Sequence, residues 1–128
     1  MFGMTRKQFK KKSSQALKDT GPSILLLMEI TRKQQKKTIP PEEAKTKLDR
    51  IRENVEGVFF NYEKISPPAP YRSLYFKVLR LLTHLQEVVT SNQEYLAQGA
   101  DQQLEESLKL LEEFREEFHS LRREIESI

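Results

Sequence analysis

This chain should fold as an all-α, up-down-up-down four-helix bundle, and three features of its sequence say so. Apolar residues recur every three or four positions through most of its length, proline and glycine gather at a few short intervals, and runs of strict alternation are nearly absent. Short connections between long amphipathic helices favour antiparallel neighbours, so four such segments close around one core. At 128 residues the chain is long enough for one core and too short for two, so residues 1–128 form a single helical domain in this scheme. The competing arrangement is a long three-helix unit carrying a mobile basic arm.

The first segment holds Phe9, Ala16, Leu17, Ile24, Leu27 and Met28 on one helical face. Gly21-Pro22 interrupts it, and an internal proline removes a hydrogen bond and clashes with the preceding turn. The expectation is therefore a helix kinked or broken there, with pieces at about 5–19 and 22–37. The second helix, about 40–65, has a heptad seam of Ala44, Leu48, Ile51, Val55, Val58, Tyr62 and Ile65. Pro40 and Pro41 suit its first turn, Thr38 is a candidate cap, and Glu42 and Glu43 favour the positive end of its dipole. Gly57, in the middle of this helix, costs about 1 kcal/mol relative to alanine and suggests a close helix crossing or a bend. The prolines of SPPAP, residues 66 to 70, stop the helix.

The third helix, about 70–98, carries Tyr71, Leu74, Val78, Leu81, Leu85, Val88 and Tyr95, with Asn92 at the one polar step. Gly99 suits the position after its end. The fourth, about 101–127, starts at the candidate cap Asp101 and runs through Leu104, Ser107, Leu111, Phe114, Phe118, Leu121, Ile125 and Ile128.

Charge is distributed unevenly. Residues 1–37 carry ten Lys/Arg against two acids, and residues 101–128 carry four against nine, although the net charge of the whole is only +3. In the bundle, Arg32, Lys33, Lys36 and Lys37 should lie near Glu105, Glu106, Glu112 and Glu113 and neutralise them. At the opposite end Arg6, Lys7, Lys10, Lys11 and Lys12 meet Arg122 and Arg123, with Lys64 and Arg72 close by, so a basic tip is expected there. Phe60 and Phe76 lie off their seams near the same end. Cations with aromatics suit a nucleic-acid backbone or an acidic protein. A membrane surface fits poorly, because the first 20 residues offer only Phe2, Met4, Phe9, Ala16 and Leu17 as an apolar face.

The apolar run Ile24 to Met28 spans more than one helical turn, more than one core can cover, so Leu26 and Ile30 are candidates for contact with a second copy or a partner helix. Chemistry-bearing motifs are scarce. The chain has no cysteine, and no phosphate loop, nucleophile elbow or zinc-protease pattern occurs. Glu116 and His119 have the Glu-x-x-His spacing of di-iron bundles, but it occurs once where such a centre needs two copies and two more inward glutamates. His84 and His119 lie on different helices beside seam positions. No catalytic residue, cofactor or metal is therefore expected.

The segment PPAPYRSLYFKVLRLLTHLQEVVTSNQEYLAQGADQQLEESLKLLEEFREEF has a proline-containing entry, a long helix, the turn Gly99-Ala100-Asp101 and a leucine-rich acidic return helix. Over residues 67–121 it resembles helical-hairpin domains of uncharacterised bacterial surface proteins and lipoproteins, a resemblance that implies a hairpin and no particular function. The chain departs from the lipoprotein pattern in having no secretory signal and no lipid-bearing cysteine, and a cytoplasmic location is expected. The function expected is that of a non-enzymatic interaction or scaffold protein, self-associating or docking a partner helix. The alternative is a nucleic-acid-binding accessory protein that uses the basic tip.

Overall fold

The first helix opens on a reciprocal cap. In the computed structural model, which describes residues 3–99 and 101–128, Gln8 N–H donates to Thr5 Oγ1 (3.1 Å) while Thr5 N–H donates to Gln8 Oε1 (2.9 Å). Phe2 and Ala100 lie outside the described residues. Helix α1 then runs from Arg6 to Gln35 without a break, Pro22 included. This corrects the expected pieces at 5–19 and 22–37.

The reason lies in burial on both sides of the proline. Leu17, Thr20, Ile24 and Leu27 are all buried along one stripe, whereas Pro22 itself is exposed. Burying each large apolar side chain contributes about 1.5–3 kcal/mol, so a few of them offset the roughly 3 kcal/mol cost of an internal proline.

Helix α2 spans Pro41–Glu63, with Pro40 at its cap position making no side-chain bond. Thr38 is not the cap: its hydroxyl donates to the Lys33 carbonyl at the end of α1 (3.3 Å). After α2 a 3-10 turn, Ala69–Tyr71, leads into α3, Arg72–Gln98, which ends at Gly99 in the left-handed region (φ 69°). Helix α4 spans Asp101–Glu126. No strand occurs among the described residues.

Cross-helix bonds establish the up-down-up-down order. Ser13 on α1 meets Tyr62 on α2, Arg52 on α2 meets Thr90 and Gln93 on α3, and Lys77 and His84 on α3 meet Glu124 and Glu117 on α4. Partners fall along one helix as they rise along the next, Lys77 with Glu124 and then His84 with Glu117, Asp49 with Gln93 and then Arg52 with Gln86, so neighbouring helices are antiparallel. Helix α1 also packs on α4, closing the bundle, and touches α3 across the diagonal. The core includes Phe9, Leu27, Leu48, Val55, Val78, Leu85, Phe114 and Ile125. Gly57 is exposed, and a Cβ there would meet nothing within 4 Å, so it marks no close crossing.

One core level is polar. Asn92 Nδ2, fully buried, donates to Thr31 Oγ1 (2.9 Å) and Gln34 Oε1 (2.7 Å), which ties α3 to α1. Asn92 Oδ1, Gln34 Nε2 and the buried Ser107 Oγ have no hydrogen-bond partner. Each such atom, where nothing else meets it, costs about 1–3 kcal/mol.

Two stability predictions follow from these features. Gly57→Ala should raise stability by roughly 0.5–1 kcal/mol, because the new methyl group enters open space on a helix. Asn92→Leu alone, which strands the whole Gln34 amide, should lower it by about 1–3 kcal/mol, and adding Gln34→Met should recover most of that loss. Urea unfolding of the four proteins checks both.

Candidate functional site

Antiparallel packing brings the start of α1, the end of α2, the start of α3 and the end of α4 to one tip. Aromatic rings fill its interior. Phe9 stacks on Tyr71 with centroids 5.6 Å apart, Tyr62 stacks on Tyr75 at 5.4 Å, and Tyr75 meets Phe76 edge-on at 5.1 Å. The phenols are held by oxygen partners: Tyr62 Oη and Ser13 Oγ lie 2.7 Å apart, and Tyr75 Oη donates to the Glu63 carbonyl (2.6 Å) at the end of α2. Burial, only partly offset by the Ser13 bond, pushes the Tyr62 phenol up to about 12. Burial, then the Glu63 charge, pushes Tyr75 in the same direction.

The aromatic cluster reaches the surface. Phe76 is 56% exposed at the start of α3 and Phe60 is 54% exposed near the end of α2, where its ring meets Phe59 edge-on at 5.9 Å. Both occupy the places expected from their off-seam positions.

The cations divide into two groups. Lys10 Nζ donates to the main-chain carbonyls of Glu126 (3.2 Å) and Ile128 (3.4 Å), so it caps the negative end of α4 and is not free for an external anion. Arg122 is 3.7 Å from Glu126 within its own helix. Arg6, Lys7, Lys11, Lys12, Arg72 and Arg123 are exposed and form no ion pair among the described residues.

The expected surface at Leu26 and Ile30 is not where the sequence put it. Ile30 is 1% exposed, and Leu26 is half-buried and packed against the core. The exposed leucine is Leu25, at 70%. On α1 the buried stripe passes through Ile24, Leu27, Thr31 and Gln34, which turns Leu25 outward and Ile30 inward. Two threonines and a glutamine on that stripe obscured its position, and the spacing of residues 20, 24, 27, 31 and 34 was the signal that would have located it.

The neutralising pairs expected between α1 and α4 are also absent. Lys33 binds Glu29 on its own helix (2.8 Å), and Arg32, Lys36 and Lys37 reach no carboxylate within 4 Å. Glu116 and His119 are both exposed, and the close histidine–carboxylate contact is His84 Nδ1 to Glu117 at 2.8 Å, across α3 and α4. Among the described residues no group of three or more His, Asp or Glu side chains is placed to hold a metal ion. Among the described residues no helix is long and apolar enough to cross a membrane. Comparison with protein-family models, curated proteins and solved structures finds no match to this chain.

The raised phenol has a consequence for alkaline stability. The folded chain keeps the Tyr62 proton that the unfolded chain releases from about pH 10. That contribution is fully present below about pH 10 and is lost as pH rises towards 12. Tyr62→Phe should therefore show a shallower loss of stability between about pH 10 and 12 than the parent, measured as urea midpoints across that range.

Proposed function

We propose that this protein is a non-enzymatic helical interaction module that docks a protein partner at its basic, aromatic-flanked tip. The observation that carries the proposal is the pairing of two phenylalanines, each more than half exposed, with seven exposed cations, Lys64 included, that have no ion-pair partner among the described residues. Large aromatics and arginines are the residues that dominate binding energy at protein interfaces. Phe76 stands on a regular helix with Tyr75 edge-on to its ring, so its backbone position is set before any partner arrives. A cytoplasmic location is part of the proposal.

A second use of the tip is favoured by the cations together with the exposed rings. Arg6, Lys7, Lys11, Lys12, Arg72 and Arg123 suit a phosphate backbone, and exposed aromatic rings offer faces on which bases stack. The two uses differ in salt response and in the nature of the partner.

A photocrosslinking residue placed at Phe76 should give covalent protein adducts in cells that make the protein, and the same residue at exposed Glu87, farther along α3, should not. Absence of adducts at both Phe60 and Phe76 would reject the tip as a docking site. For the nucleic-acid use, affinity for a single-stranded oligonucleotide should fall steeply with salt, and Lys7→Glu with Lys11→Glu should flatten the log–log slope by about 1.4. No binding at low salt rejects that use.

A further inference from the structure

Helices α1 and α4 lie side by side with opposite charges on their outer surfaces, yet among the described residues no ion pair joins them. The pair on α1 is internal, Lys33 to Glu29, and those of α4 reach α3 or stay within α4. The polar tie between the two helices is Lys10 on the carbonyls that end α4.

Between them runs a groove of about 370 Å³ with Met28, Leu108 and Leu111 inside and Arg32, Glu112 and Arg115 on its margins. A second hollow, about 230 Å³, continues it past Gln35, Lys37, Asp101 and Glu105. Leu25, 70% exposed, lies two helical turns before Arg32 and therefore on the same side of α1. The face thus has a narrow apolar floor, an α1 wall that is cationic except for Glu29, which Lys33 neutralises, and an α4 wall that is acidic except for Arg115.

We propose that the α1–α4 face is a self-association surface, on which a second copy of this chain sits across a two-fold axis parallel to the helices. Charge selects that axis. A two-fold along the helices sets each copy's α1 on the other's α4 at the same level, bringing Arg32 and Lys36 to the second copy's Glu112 and Glu105. A two-fold across the helices would instead set α1 on α1 and cation on cation.

The size is adequate. Helices of 26 and 30 residues, each about 40 Å long and about 10 Å wide and lying side by side, present a projected face of roughly 800 Å² per copy, comparable with the area each partner buries in an ordinary specific interface. Arg122 and Arg123 interrupt the acidic wall toward the tip, so contact weakens there and the tip cations stay available. The proposal stands whether or not the tip binds a partner.

Sedimentation of the parent chain from about 1 to about 500 μM, spanning the usual range of weak self-association, should show a monomer–dimer equilibrium. Arg32→Glu with Lys36→Glu, and separately Glu105→Lys with Glu112→Lys, should each weaken the dimer at least about tenfold while leaving helicity by circular dichroism unchanged. Mixed one to one, the two variants should recover dimer, because each acidic α1 then faces a basic α4 and each acidic α4 a basic α1. Leu25→Asp should weaken the dimer without being rescued by either charge variant. A parent that stays monomeric overturns the proposal, as do charge variants that dimerise like the parent or a mixture that fails to recover.

Discussion

Each helix of this bundle must hide one stripe of side chains along its whole length, and that demand governs the rest of the structure. Helix α1 shows its force. A proline and a glycine sit at its middle, where local preference favours a stop, but the stripe from Phe9 to Gln34 is buried continuously on both sides of them. A break would expose one half of that stripe. The proline is accommodated because it lies on the outer side, where the carbonyl it leaves without an N–H partner faces solvent.

The same demand explains where polarity was tolerated. Toward the tip the stripe meets aromatic rings, and its one buried hydroxyl there, Ser13, finds Tyr62. Toward the other end Thr31, Gln34, Asn92 and Ser107 occupy core positions, and only part of their bonding capacity is met. An amide bonded across the diagonal favours one register of α1 against α3, a use of buried polarity that costs stability while narrowing the ways helices can pair. The core is therefore aromatic at one end and partly polar at the other.

Much of this was legible from residue spacing. The seams of α2, α3 and α4, the stop at Gly99 and the exposure of Phe60 and Phe76 all follow from local periodicity, which burial imposes on every turn. What spacing missed was decided at long range. Within Ile24 to Ile30 the outward leucine is Leu25 because Thr31 and Gln34 bond an asparagine some sixty residues away, and a polar residue in a core stripe looks local only once its partner is known. Lys10 is indistinguishable by spacing from the other cations of the tip for the same reason: the Glu126 carbonyl it reaches lies 116 residues away. Thr5 and Gln8, by contrast, display the spacing of a capping box openly in the sequence.

Charge follows from topology in a way composition alone does not reveal. Closing the bundle makes the first and last helices neighbours, so a basic segment and an acidic one become adjacent surfaces of one molecule. Had their side chains paired across the α1–α4 seam, both surfaces would be spent. Among the described residues they do not: the acids of α4 that find cations find them on α3 or within α4, and Lys33 on α1 binds its own Glu29. An exposed pair of this kind is worth only about 0.3–0.5 kcal/mol within a helix, too little to set the fold but enough to decide which charges remain outward. The remaining charges give the molecule a long two-signed face and a cationic tip, two separate surfaces that the same packing produces.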